Sequence, residues 1–297
     1  MDLETVRTFI KVAELRSFTR AAEHIGLPKS RVSIRIRELE DELGVRLLQR
    51  TTRSVHATPD GEQFLSRAQR LVEEADELGA MFQPQRSLRG RVRVDMPISM
   101  ARDFVIPQLP ELYALYPNLE LQLGSSDRFV DLVRDGYDFV FRGGHVRELG
   151  LVVKRLGVMP MTNVASLGYV RAHGTPRALD DLDHHLIVHY TGAFGGEPPA
   201  FDYRAGGATV SRPMRSLIAV DNVAAYHAAC AAGLGIIQVP RIGVVEGLAA
   251  GRLVEILPDH VCEPMQGSIV YAEGRPLSRR VRVVMAWIAQ IVGPRLA

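Results

Sequence analysis

The run SFTRAAEHIGLPKSRVSIRIRELEDELG, residues 17–44, constrains the fold more than any other stretch. Ala21, Ala22 and Ile25 form a short helical face behind Ser17, a good N-cap, and Gly26 supplies the left-handed residue that ends it. After the turn GLPK, Val32, Ile36, Leu39 and Leu43 recur at steps of four, three and four, the period of a helix with one buried side, and Gly44 closes it. With those four packed inward, Ser30, Arg31, Ser33, Ile34 and Arg37 point outward from a helix whose first turn is positive in side-chain charge and in dipole. A short helix, a Gly-containing turn and a second helix with an exposed basic and hydroxylic face is helix-turn-helix geometry.

The flanking segments extend this unit. Leu3, Val6, Phe9, Ile10 and Ala13 mark a preceding helix, and RTTRSVHAT is a short β-branched, basic stretch suited to a small hairpin, the wing of a winged helix. Thr58 then caps a long helix with Pro59 in its first turn. Phe64, Ala68, Leu71, Ala75, Leu78 and Phe82 along it form a heptad seam that a small domain cannot cover, so a second copy of the helix is the economical partner and a dimer is expected. Packing on the chain's own second domain is the alternative. Residues 84–91, rich in Pro, Gly, Ser and Arg without periodicity, read as a hinge.

A length of 297 residues with 46% hydrophobic content supports one substantial core and a smaller one. The formal charge of +2 is near balance, so any nucleic-acid contact must come from clustered cations and not from bulk basicity. Only Cys230 and Cys262 occur, without the spacing of a zinc site or a disulfide framework, which fits a reducing compartment. No apolar run reaches membrane-spanning length and the N-terminus carries charges at regular intervals, so a cytoplasmic protein with no membrane partner is expected.

Beyond the hinge, VRVDM, LELQL and DFVFRGG read as strands alternating with helices MARDFVIPQLPELYALY and FVDLVRDG, a pattern that implies a parallel sheet with crossover helices. A second series follows: strand TNVASLGYV, a helix around LDDL, strands LIVHY and SLIAV, helix NVAAYHAACAAG and strand GIIQVP. GSIVYAE and the helix SRRVRVVMAWIAQIV look like closing pieces of the first sheet. Two α/β halves with a cleft between them place a ligand at strand ends.

The motifs SFTRAAE, LPKS, LEDELGVRLLQRTTR and TPDG at their observed spacing resemble the N-terminal domain of LysR-type transcriptional regulators. The likeness continues through SDRFVDLVRDGYD, RAHGTPRALDDL, DNVAAYHAACAAGLGIIQVP and GRLVEILPD and so covers nearly the whole chain. It implies an α/β multidomain protein: a winged helix-turn-helix over 1–58, a linker dimerisation helix over 59–83, the hinge, and a two-lobed effector domain over 92–297 like periplasmic binding proteins. Lobe I would comprise 92–161 and 268–297, and lobe II 162–267. A sequence-specific regulator modulated by a small molecule is implied, not an enzyme, acting as a homodimer or homotetramer, with RNA polymerase a further candidate partner and no cofactor.

For DNA the candidates are Ser17, Thr19, Lys29, Ser30, Arg31, Ser33, Ile34, Arg35 and Arg37, with Arg50, Thr51 and Arg53 on the wing. Lys29 and Arg31 reach bases or phosphates, Ser30 and Ser33 bond either, and Ile34 suits a thymine methyl. For the effector the candidates are Pro97, Ile98 and Ser99 near a helix start, Ser125 and Ser126 at a strand end, and Arg142, Tyr190, Asn222 and Val239. Free N–H groups at the helix starts favour an anionic effector.

Competing chemistry is weak. His184, His185 and His189 beside Asp181 and Asp183 lack a third ligand at fixed spacing, and GLG at 233–235 follows a helix instead of leading from a strand into one. Asp131, Asp135 and Asp138 fit helix and turn positions, and no nucleophile–base set has a signature. A sequence-neutral architectural DNA protein would need a broader basic surface, and a free-standing solute-binding protein would not carry the first 90 residues.

Overall fold

The computed structural model describes residues 1–50, 55–80, 88–125, 127, 131–132, 134–144, 149–192, 196–274 and 277–296, apart from the side chains of Arg50, Glu73, Glu77 and Ala80. The chain divides into two compact units between Arg86 and Ser87.

The first unit is built of helices α1 (Leu3–Leu15), α2 (Phe18–Ile25) and α3 (Lys29–Leu43), a two-stranded antiparallel wing of β1 (Leu48–Arg50) and β2 (Val55–Ala57), and the long α4 (Pro59–Ala80). Phe9, Val12, Phe18, Ala21, Val32, Ile36, Leu39 and Leu47 form its core. Gly26, at φ 74°, ends α2 in the left-handed conformation that a Cβ would strain. Gly61 answers a different need, since a Cβ there would lie 1.9 Å from the Leu47 carbonyl oxygen. Thr58 caps α4 by accepting the Gly61 N–H at 3.0 Å while donating to the Arg46 carbonyl at 2.6 Å.

Leu43 departs from expectation. It is 37% exposed, and the α3 position that turns inward is Glu40, 4% exposed. Residues 32, 36 and 40 form one ridge of the helix at steps of four, and the chain folding back along that ridge supplies donors to a carboxylate. α4 packs on α1 through its first half, with Phe64 edge-on to Phe9 at 5.2 Å and Ala68 buried, and an Arg7–Asp76 ion pair at 2.5 Å ties it further along. Leu71 and Leu78 stay 45% and 69% exposed. Phe82, the end of the expected seam, and most of the hinge lie outside the described residues.

In the second unit β3 (Arg89–Asp95) begins earlier than expected and takes in three residues read as hinge. Helix α5 (Ile98–Met100) runs on through a π turn and a 3-10 turn into α6 (Leu109–Leu115), the switches falling near Pro107 and Pro110, which lack N–H donors. β4 (Asn118–Gly124), β5 (Phe139–Gly143) and β6 (Leu151–Met159) complete the outgoing half of lobe I. The described part of FVDLVRDG is not helix but turn, in which Asp131 accepts the Arg134 N–H at 2.9 Å; beyond it Asp138 accepts the Arg93 N–H of β3, also at 2.9 Å.

Lobe II follows with β7 (Met161–Ser166), α7 (Leu167–His173), β8 (His189–Tyr190), the hairpin β9 (Ala200–Ala205) and β10 (Ala208–Pro213), β11 (Ala219–Val220), α8 (Val223–Ala231), β12 (Ile237–Pro240), α9 (Val245–Ala249) and β13 (Leu253–Glu255). TNVASLGYV is therefore half strand and half helix, because Ser166 accepts the Tyr169 N–H and starts α7. β14 (Met265–Ala272) and α10 (Arg279–Val292) return to lobe I.

Neither main sheet is all parallel: the lobe I sheet is mixed and the lobe II sheet antiparallel. In lobe I the order is β4-β3-β5-β14-β6, parallel only among the first three, because the chain re-enters from lobe II in the opposite direction and β14 pairs antiparallel with β5 and β6. In lobe II β7 lies between β12 and β13, antiparallel to both. Successive residues of β7 serve opposite faces: Val164 packs with Val188, Tyr226 and Cys230, and Ala165 with Tyr169, Phe201 and Ile236. Val281, Val284, Met285, Ile288 and Val292 of α10 bury one face against Val94, Phe139, Phe141 and Ile269 of the lobe I sheet.

Candidate functional site

Ser17, Oγ 3.3 Å from the Arg20 N–H, starts α2, and α3 follows from Pro28, which offers no side-chain acceptor. The first N–H groups of α3 consequently lack a side-chain cap, as a phosphate-facing helix start requires. Lys29, Ser30, Arg31, Ile34 and Arg37 are exposed, Ile34 by 54%, while Val32 and Ile36 between them are wholly buried. Thr19 is exposed and Ser33 half-buried. Lys29, Arg31 and Arg37 have no ion pair among the described residues.

Arg35 is the exception in this cluster. It is half-buried and turns to α1, where Nη1 donates to Thr8 Oγ1 at 3.3 Å, so it clamps α3 on α1 instead of joining the outer face. Thr51, Arg53 and the Arg50 side chain fall outside the described residues, although the register Arg50↔Val55 places Arg50 at the wing's open end.

Glu40 was not among the expected functional positions. Its Oε1 accepts the N–H groups of Leu47 and Leu48, both at 2.9 Å, and Oε2 lies 3.5 Å from Arg46. A buried carboxylate thus joins α3 to the first wing strand. Its only trace in the sequence is a glutamate one helical turn beyond Ile36.

In the second unit the candidate effector residues divide. Pro97, Ile98 and Ser99 are half-buried at the start of α5, which packs against α8 of the other lobe. At that junction Asp127, in the segment after β4, accepts the Val223 N–H at 2.6 Å, so a lobe I carboxylate sits on the first residue of α8. Its Oδ1 is buried without a hydrogen-bond partner among the described residues. Asn222 caps α8 by accepting the Ala225 N–H at 2.8 Å and donates to Asp221 at 3.2 Å. Tyr190 stacks obliquely on Tyr226 at 5.2 Å; burial, then Asp127 and Asp221, push its phenol up to about 12. Ser125 is exposed beside this group, and Ser126 lies outside the described residues.

Two candidates are already taken up by the interior. Val239 is 3% exposed in the lobe II core, and Arg142, 7% exposed, is matched by Asp95 at 2.5 Å and donates to the Phe141 carbonyl. A guanidinium already paired in the interior offers little to an incoming anion. Asp127 and Asp95 are thus the side chains that the sequence did not single out.

The histidine-rich segment is also accounted for locally. Asp181 caps the turn through the N–H groups of Arg177 and Ala178, Asp180 and Asp183 bind Arg212, and His185 Nδ1 lies 3.2 Å from the Tyr169 hydroxyl. No group of three or more His, Cys, Asp or Glu among the described residues could hold a metal ion.

Comparison with known proteins matches both units. Residues 3–62 match the bacterial regulatory helix-turn-helix protein, lysR family, and residues 85–292 the LysR substrate binding domain. The chain is 42% identical to the HTH-type transcriptional regulator YhjC of Escherichia coli K12 over 98% of this chain and 97% of that protein. It is 34% identical to an HTH-type transcriptional repressor of Pseudomonas aeruginosa, over 97% and 92% respectively. The solved structure of CrgA, a LysR-type transcriptional regulator from Neisseria meningitidis, superposes with a TM-score of 0.63 at 26% identity, covering 99% of each chain. The helix-turn-helix with its uncapped, basic helix start and the two-lobed domain behind it are the two parts of one protein type, and the chain belongs to the LysR family of transcriptional regulators.

Proposed function

We propose that this DNA-binding regulator reads its operator through the outer face of α3 and is switched at the Asp127–α8 contact between the lobes. Lys29, Ser30, Arg31, Ser33, Ile34 and Arg37 face the major groove, with Ser17 and Thr19 on the neighbouring phosphates and Arg50, Thr51 and Arg53 on the wing. The observation that carries this reading is the alternation of wholly buried Val32 and Ile36 with exposed, unpaired Lys29, Arg31 and Arg37 on one helix. Footprinting of operator fragments selected by the protein tests it: protection unchanged by Arg31→Ala and Arg37→Ala together refutes the assignment.

The effector is a small carboxylate. The α8 start already accommodates the carboxylate of Asp127, beside a Tyr190 phenol held protonated, and an effector carboxylate would take that place and alter how the lobes meet. Ser99, Ser125 and Asn222 border the same place. Calorimetry with a panel of small carboxylates and amines tests this, with Asp127→Asn expected to tighten carboxylate binding; amines binding in preference would refute it.

The exposed Leu71 and Leu78 on α4 are covered by a second copy of the helix, giving at least a dimer. Sedimentation of Leu71→Glu/Leu78→Glu should show a monomer. No described helix is long and apolar enough to cross a membrane, and a protein whose ligand is chromosomal DNA belongs in the cytoplasm.

A further inference from the structure

Between α1 and α2 the chain passes through Arg16 at φ 49° and ψ 31°, a left-handed conformation that glycine adopts freely and a side chain does not. Among the described non-glycine residues only Arg16 and Leu257 have positive φ. Leu257 is 4% exposed and its side chain fills the lobe II core, which accounts for its conformation. The Arg16 side chain is exposed and fills nothing.

Nor does the Arg16 side chain bind another described residue. Its guanidinium has no hydrogen bond or ion pair among the described residues, whereas neighbouring arginines are engaged: Arg20 with the Leu15 carbonyl, Arg7 with Asp76, Arg35 with Thr8 and Arg46 with Glu40. Its backbone, by contrast, is held on two sides. The Arg16 carbonyl accepts the Val55 N–H of β2 at 3.4 Å, and the next residue is the N-cap of α2. The free cation therefore projects from the corner where the first helix of the helix-turn-helix begins and the wing strand passes. In this docking geometry that helix crosses the sugar-phosphate backbone.

We propose that Arg16 is a DNA-contacting residue that holds a backbone phosphate between α2 and the wing and adds affinity without reading sequence. A charged side chain is kept at a position better suited to glycine because the contact it makes is with a ligand and not with the fold.

The test uses the full-length protein and a mixed-sequence duplex of about 30 base pairs, titrated between about 50 and 200 mM salt. Arg16→Gly and Arg16→Asn, both tolerant of the left-handed region, should melt no lower than the parent protein. Both should bind the duplex about three- to tenfold more weakly, with the slope of log affinity against log salt reduced by about 1, while Arg16→Lys keeps the parent slope. The preference for a selected operator fragment over the mixed duplex should not change. An unchanged slope in both neutral variants overturns the proposal, as does a reduced slope in Arg16→Lys. A fall in melting temperature in both Gly and Asn variants also overturns it, because the side chain would then be serving the fold.

Discussion

In the N-terminal unit the outward cations Lys29, Arg31 and Arg37 have no ion pair among the described residues, whereas in the second unit the polar groups near the strand ends are matched from within, Arg142 by Asp95, the Val223 N–H by Asp127 and Asn222 by Asp221. The ligands explain the contrast. A duplex is a polyanion met at the surface, so solvated cations can wait for it at little cost. A site enclosed between lobes removes its polar groups from water, so most of them are matched from within before any ligand arrives. On the proposed reading, the DNA face would bind by adding contacts and the effector domain by exchanging them.

The sharpest way to break that comparison is to open the internal match. Arg142→Ala removes the ion-pair partner of the Asp95 carboxylate, 1% exposed, and should cost the second unit about 3–5 kcal/mol, seen as a lowered transition in calorimetry. Asp95→Leu with Arg142→Met should recover much of that loss, and a single variant as stable as the parent would mean the pair holds nothing.

Next in size is Glu40→Ala, which leaves the Leu47 and Leu48 N–H groups without their acceptor and should cost the first unit about 2–3 kcal/mol in denaturant unfolding. Glu40→Gln should lose far less. This variant asks whether the DNA-binding unit also depends on an internal match behind its open face.

Arg31→Ala should leave folding intact and lower discrimination by about 1–3 kcal/mol at one base position, while Arg53→Ala on the wing weakens all duplexes alike. Equal effects of the two across a set of single-base operator variants would dissolve the distinction between reading and holding.

The smallest expected effect is on pH. Burial, then His173, lowers the pKa of His185, and burial, then Arg102, lowers that of His227 against the opposing pull of Asp103. With the folded values below the unfolded one of about 6.5, the unfolded chain takes up protons first as pH falls. Stability of the second unit should therefore decline on acidification below about pH 6.5, and His185→Gln with His227→Gln should flatten the decline in thermal melts.

Much of the first unit was legible in the sequence because its contacts are local. Caps at Ser17 and Thr58, the stop at Gly26 and the three-and-four spacing of Val32, Ile36 and Leu39 all act within a few residues. The choice between Leu43 and Glu40 was not legible, since both lie near the edge of the apolar face and only the returning Leu47–Leu48 backbone selects one. Arg35 misled for the same reason: a cation in a basic cluster looks like its neighbours until Thr8 of another helix appears beside it.

In the second unit strands were recognisable but their directions were not. Periodicity reports which residues share a face, and nothing in GSIVYAE says whether it enters the sheet up or down. The hairpin β9–β10 escaped notice because its strands are half polar and exposed, leaving only the Gly206-Gly207 turn as a signal. Arg142 was visible as an arginine at a strand end, but the Asp95 that neutralises it lies 47 residues away.

By itself the sequence determined the helix-turn-helix, the exposed basic row on α3 and the division into a small helical unit and an α/β unit, because helix period, caps and charge clustering are short-range properties of the chain. Only the tertiary structure decided which charges stay free and which are consumed. Pairing depends on what the fold brings within about 3 Å of a side chain, and that distance has no counterpart in sequence separation.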